Sequence, residues 1–289
     1  MPELITLADQ NPIIFIILAS LFGLVIGSFL NVVIHRFPIM MNQAWHDQCE
    51  ALSGLKSAPM TSAKKYNLIT PRSACPHCEK EISAWHNIPL LSFLLLGGKC
   101  KQCKTSISWR YPAVEIISAI LVGLVAWKFG CSFKAMMASI FVLALIALTF
   151  IDLDTQLLPD DITLPLVWLG LLLNLNSGFT DIQSAVIGAV AGYLILWSLY
   201  WSFKIITGKE GMGYGDFKML AAIGAWFGWT MIPAVILLSS IAGSIIGIGL
   251  IVFANHGKSS AIPFGPYLAL GGIAALFWGN QLSQLYLGG

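Results

Sequence analysis

The sequence predicts an all-α, polytopic membrane protein of about eight transmembrane helices, with a small zinc-ribbon-like domain on the cytoplasmic side. Three observations carry that expectation. Of 289 residues, 57% are hydrophobic and only 10% charged, with a mean hydropathy of +0.78, whereas a soluble domain carries about 25% charged residues. Apolar stretches recur along the chain with polar breaks between them. The long polar loop after the first stretch holds two Cys-x-x-Cys pairs. A net charge of +2, with no basic run interleaved with aromatics, argues against a nucleic-acid partner.

The first stretch, residues 12–34, covers 23 positions, or roughly 35 Å as a helix, enough to cross a bilayer. Residues 1–11 hold no Lys or Arg, so the basic n-region of a signal peptide is missing. The stretch therefore reads as a retained transmembrane helix. Further stretches at 111–127, 135–151, 162–175, 182–203, 219–230, 232–253 and 267–278 bring the count to eight. Those at 162–175, 219–230 and 267–278 are short for a full crossing and are expected to extend, to tilt or to lie behind neighbours. Gly188 and Gly192, Gly224 and Gly228, and Gly243 and Gly247 place small residues four apart, which lets helices approach where lipid supplies no hydrophobic drive.

Lys and Arg set the orientation. With the N-terminus outside, the inward segments 35–110, 152–161, 204–218 and 254–263 hold fourteen of these residues, Lys56, Lys64, Lys65 and Lys258 among them, and the outward segments only Lys128 and Lys134. The first inward loop is longer than the positive-inside rule covers, so the weight there falls on Arg36 and on the group from Lys99 to Arg110. Both termini are then expected outside. The chain divides into a first transmembrane helix over 1–34, a cytoplasmic zinc-binding domain over 35–110, and a transmembrane bundle over 111–289.

Within the loop, Cys75-Pro-His-Cys78 and Cys100-Lys-Gln-Cys103 form a zinc-ribbon pattern with 21 residues between the pairs. Each pair offers two thiolates from one tight turn, and two turns complete a tetrahedron around Zn²⁺. The alternative is two disulfides, which a reducing cytoplasmic face disfavours. Four Cys ligands leave no open coordination position, so such a zinc is structural. His77 and His86 are not needed as ligands, and Cys49 and Cys131 fall outside the pattern as unpaired thiols.

Carboxylates mark a second region. Asp152 closes one apolar stretch, Asp216 opens another in Gly213-Tyr-Gly-Asp216, and the two lie 64 positions apart. An ionisable group bordering hydrocarbon is costly and raises a functional hypothesis. Peptide hydrolysis by two carboxylates needs one ionised, to take a proton from the attacking water, and one protonated, to donate to the scissile carbonyl. A close pair in a poorly solvated site separates its protonation in this way. Gly213 and Gly215 would let backbone approach a substrate strand. Structural readings compete. Asp160, Asp161 and Asp181 read as helix N-caps, and Asp216 reads equally well as a cap. Asp152 is harder to explain that way, because a negative charge at a helix C-terminus opposes the macrodipole. Glu115, inside the second stretch, is expected to pair with Arg110 or another basic group. The Gly211–Gly215 stretch lacks both the preceding strand and the glycine spacing of a nucleotide loop.

These residues together resemble the prepilin peptidase, or type IV leader peptidase, family. The resemblance runs nearly end to end, through Gly27-Ser-Phe-Leu-Asn-Val-Val-Ile-His-Arg36, Pro71-Arg-Ser-Ala-Cys-Pro-His-Cys78, Asn87-Ile-Pro-Leu90, Cys100–Cys103, Arg110-Tyr-Pro-Ala-Val-Glu115, 151–161 and 213–218. It implies a bifunctional enzyme of the bacterial inner membrane. Such an enzyme cuts the short basic leader from type IV prepilins and type II secretion pseudopilins at the cytoplasmic face. It then methylates the new N-terminal amine with S-adenosylmethionine. The family's catalytic aspartates fall on Asp152 and Asp216, with Asp152 preferred over Asp154 because the family pairs the first aspartate of that motif with the aspartate of Gly-x-Gly-Asp. The implied partners are the pilin substrates and the bilayer, with a homodimer as an open option, and no residue is assigned to the methyl donor. Three rivals remain: a transporter with boundary carboxylates, a non-catalytic assembly scaffold, and a presenilin-like protease that cuts within the bilayer.

Overall fold

The computed structural model describes residues 11–53, 66–75, 77–82, 89–253 and 263–287. Lys56, Lys64, Lys65, Lys258, His86 and the Asn87–Ile88 half of one motif lie outside the described residues, as does most of the basic-free segment 1–11. Among those described, the regular structure is helical apart from two isolated antiparallel bridges, Ala74–Glu81 and Lys99–Ser106. Five helices are long and apolar enough to cross a membrane: Pro12–Leu52, Arg110–Phe129, Phe133–Thr155, Ile182–Thr207 and Trp229–Gly249, the last including a short 3-10 turn. The chain forms two compact units, Met1–Leu143 and Ala144–Gly289.

In the first unit, α1 (Pro12–Ser53) packs along α3 (Arg110–Phe129), with the short α2 (Leu91–Leu95) between them in sequence. The crossing of α1 and α3 is glycine-lined. A Cβ on Gly27 would lie 2.8 Å from Glu115 Cα, and one on Gly23 would lie 2.7 Å from Ser118 O. Asn31 donates to Tyr111 O at 3.1 Å. Buried Arg36 donates to Asn67 O at 3.0 Å and lies 5.7 Å over the Tyr66 ring. The α1 helix outruns its apolar stretch: it continues beyond Ile34 to Ser53 with Pro38 inside it. Polar residues after Ile34 mark where hydrocarbon would end, and a helix backbone has no reason to stop there.

Helix α4 (Phe133–Thr155) carries the chain from the first unit into the second. The second unit is built round α7 (Tyr214–Phe227), which is buried from Met219 to Phe227. At 14 residues, or about 21 Å, α7 has the length of a core helix rather than a full span. Its neighbours are α5 (Asp160–Asn174), α6 (Ile182–Thr207) and α9 (Gly265–Leu287). Gly188 of α6 and Gly224 of α7 sit backbone to backbone, and a Cβ on Gly192 would lie 2.7 Å from Leu220 O. These are the small residues four apart read from the sequence, and they bring the two helices into backbone contact. At the far end of α7, the buried Asn174 amide donates to Ala225 O at 2.8 Å and Trp226 O at 3.0 Å. It also accepts from the N–H groups of Phe179 and Thr180. Trp226 Nε1 donates to Leu166 O at 2.8 Å. Helix α8 (Ile232–Phe253) packs on α9, and α9 leaves helical geometry at Trp278, where its apolar stretch ends.

Two sequence expectations are corrected and a third holds. Pro159 is the N-cap residue of α5, so Asp160 and Asp161 occupy its first turn instead of capping it. Asp160 is engaged by Lys218 Nζ at 2.6 and 2.7 Å. Glu115 accepts from the N–H of Leu90 at 2.7 Å and from the Ser28 hydroxyl, donors where a basic partner was expected. Asp181 does cap α6, accepting from Ser184 N at 2.8 Å.

Candidate functional site

The first unit gathers the four cysteines. Two turns of the same construction present them. In one, Cys75 N donates to Lys80 O and Glu79 N to Cys75 O; in the other, Cys100 N donates to Thr105 O and Lys104 N to Cys100 O. Glu79 and Lys104, each following the second cysteine of its pair, both take left-handed φ, 55° and 60°. That conformation curls the backbone so that both thiols of a pair point to one side. Outer bonds from Ile82 N to Ser73 O and from Ile107 N to Gly98 O close each turn in the same way.

The four Sγ atoms lie within 4.8 Å of one another, with Cys75 and Cys103 at 3.8 Å, and all are free thiols. Zn–S bonds of about 2.3 Å in a tetrahedron require sulfur separations of about 3.8 Å, so the donor set fits a structural zinc. The thiols are poised unequally. The Thr105 hydroxyl and N–H lower Cys103 to about 6. At Cys78 the Lys80 N–H acts downward, but burial and the neighbouring thiols prevail and raise it to about 11. Four thiolates in so small a volume need a cation, and a bound metal deprotonates them outright. Cys49 and Cys131 stand outside the cluster. Beside the second turn, a concavity of about 500 Å³ is bordered by Phe93, Lys99, Ser106, Ser108 and Trp109.

The second unit brings together the two aspartates. Asp152 lies in the last turn of α4, 4% exposed, while Asp154, two residues on, points outward as helical geometry requires. The helix ends where Gln156 takes φ 55°. Asp216 is the third residue of α7 and is 6% exposed. Its Oδ2 accepts from Gly213 N at 3.2 Å, so part of the capping role read from the sequence is real. Its Oδ1 is buried and has no hydrogen-bond partner among the described residues. A group serving only as a cap has no use for a second, sealed and unsatisfied oxygen. The two carboxylates border one small region: Leu158 lies against Gly215, the neighbour of Asp216, and against Gly265, which touches Asp152.

The sequence reading missed a third participant. Gly265 N, at the start of α9, donates to Asp152 Oδ2 at 2.9 Å. Asp152 therefore sits at the C-terminus of its own helix but at the N-terminus of another, where the dipole favours its charge. Leu158 fills the space between the glycines: a Cβ on Gly215 would lie 2.6 Å from Leu158 Cβ, and one on Gly265 would lie 3.2 Å from Leu158 Cδ2. The available signal was Pro263-Phe-Gly-Pro266 ahead of an apolar stretch, a glycine and a proline at a helix start.

The chain matches the bacterial peptidase A24 N-terminal domain over residues 21–129 and the type IV leader peptidase family over residues 139–248. It is 52% identical to the prepilin leader peptidase/N-methyltransferase of Aeromonas salmonicida (strain A449), over 99% of each chain. The protein of the same name from Aeromonas hydrophila is also 52% identical over 99% of each. That from Pseudomonas aeruginosa is 50% identical over 99% of this chain and 98% of its own. No solved structure matches. Half of all positions shared from end to end, with both family regions present in order, place this chain in the type IV leader peptidase family.

Proposed function

We propose that the chain is a membrane aspartic endopeptidase. It removes the basic leader of type IV prepilins and type II secretion pseudopilins at the cytoplasmic face of the inner membrane. It then methylates the new N-terminal residue with S-adenosylmethionine. The relatives' shared name, prepilin leader peptidase/N-methyltransferase, supports both activities. The observation that carries the peptidase half is the pair of buried carboxylates, Asp152 and Asp216, drawn from distant segments and joined through Leu158 and Gly265.

In this reading the substrate's own apolar helix lies beside the bundle and its leader stays in the cytoplasm. The scissile bond then enters between the two aspartates. One carboxylate accepts a proton as water attacks the carbonyl carbon, and the protonated partner hydrogen-bonds the carbonyl oxygen. As the tetrahedral intermediate collapses, the C–N bond breaks and the departing amine takes the proton that the first carboxylate accepted from water. The freed amine is the group that is methylated. Asp216 Oδ1, buried and without a donor among the described residues, is the oxygen left to carry the catalytic proton.

Zinc held by Cys75, Cys78, Cys100 and Cys103 braces the cytoplasmic region and takes no part in cleavage. In the eight-crossing reading both termini lie on the periplasmic side, with α5 and α7 as the short members. Cleavage of a purified prepilin by the detergent-solubilised protein tests the proposal, comparing wild type with an equally folded Asp216→Asn. Activity confined to the wild type is expected. Equal cleavage by both would reduce Asp216 to a helix-start residue, and cleavage by neither would favour a scaffold.

A further inference from the structure

We propose that Gly265 is a positioning residue for peptide cleavage, through two properties that only glycine combines: its N–H aims Asp152, and its missing side chain leaves room for that carboxylate. The inference rests on the proposed catalytic role of Asp152.

Helix α9 begins Gly265-Pro266, and its first internal bonds run from Tyr267 N and Leu268 N to Phe264 O. The first turn of a helix leaves its N–H groups without internal partners. Pro266 has no N–H to place, so Gly265 offers the first donor of this turn. That donor goes to Asp152 Oδ2 at 2.9 Å, across 113 positions of sequence. A Cβ at residue 265 would stand 2.6 Å from the same oxygen and 3.1 Å from the carboxyl carbon. Any side chain there displaces the carboxylate by several tenths of an ångström or pushes α9 away from α4. The opposite wall does not yield easily, since Leu158 lies against both Gly265 and Gly215. The three segments carrying Asp152, Asp216 and Gly265 thus meet on Leu158. Asp152 keeps Oδ1 for chemistry while Oδ2 is held.

A group fixed by one such bond loses alignment when the bond is lost, and misplacement of about 1 Å costs about a hundredfold in rate. The test uses the full-length protein in detergent and follows prepilin cleavage together with methylation of pilin that has already been cleaved. Gly265→Ala is expected to lower kcat for cleavage about a hundredfold, with KM within about twofold and methylation retained. A second variant carries glycolic acid at 265, which replaces only the N–H by an ester oxygen and adds no side chain. It is expected to lower kcat about tenfold, the worth of one hydrogen bond to a charged group. An ester variant with wild-type kcat overturns the proposal. So does a joint loss of kcat, KM and methylation in the ester variant, which would mean that Gly265 serves folding alone. Asp152→Asn run alongside separates the two ideas: if it cleaves like wild type, the aspartyl reading itself fails.

Discussion

The four cysteines reach one another through two short local turns, whereas the two aspartates reach one another only because helices pack. In the first unit the geometry is written in neighbouring residues: a cysteine, two intervening positions, a second cysteine, then a residue with left-handed φ. In the second unit, Asp152 and Asp216 depend on the close approach of α6 to α7 at Gly188 and Gly224, on Leu158 and on the first amide of α9. The cysteine centre would be completed by a cation that it does not itself supply. The carboxylate centre is completed by burial. One should therefore respond to metal and the other to helix packing.

The largest expected effect sharpens this contrast. Asp152→Asn and Asp216→Asn should each lower the cleavage rate by about 10³-fold or more, as loss of acid–base partners does. Both should still methylate pilin supplied already cleaved, measured by transfer of a labelled methyl group. Next comes Cys103→Ser or prolonged chelation. Metal analysis should show the loss of one zinc per chain, and methylation should fall by about tenfold or more as the turns lose their brace. Cleavage should stay within about threefold on the same grounds. Cleavage that stopped at once on chelation, with the protein still folded, would mean that the metal takes part in the chemistry of cleavage.

Gly188→Ala attacks the packing side. The added methyl meets the Gly224 carbonyl, and overpacking of this kind costs about 1–3 kcal/mol. A lower melting temperature and a greater loss of cleavage than of methylation are expected. The smallest effect belongs to Lys218→Ala. Its partner Asp160 is 55% exposed, so the pair is worth about 1 kcal/mol or less, read as a small shift in thermal stability.

The sequence displayed what depends on neighbours and on lipid, and withheld what depends on distant contacts. Apolar stretches located every long helix among the described residues because hydrocarbon selects them directly. The same signal misplaced the end of α1, since Ile34 ends an apolar run and not a hydrogen-bond ladder. The cysteine spacing was legible because two tight turns suffice to explain it. Asp216 was legible only as an even choice between cap and catalyst, and the structure shows a contact of the first kind beside an unpartnered oxygen. Asp160 and Asp161 looked like caps because Pro159, which takes that position, has no capping side chain to announce itself. Gly265 was invisible: its meaning lies in an oxygen 113 positions earlier.

That separation also orders events in time. Synthesis delivers Asp152 and then Asp216 to the membrane well before the ribosome reaches Gly265. Until α9 is threaded in, Asp152 is without the amide that holds it in the folded protein. A nascent chain that stalled after α8 would carry both aspartates but lack the contact that fixes one of them. Helix α9 thus acts as a latch, and it can close only after both aspartates have been made.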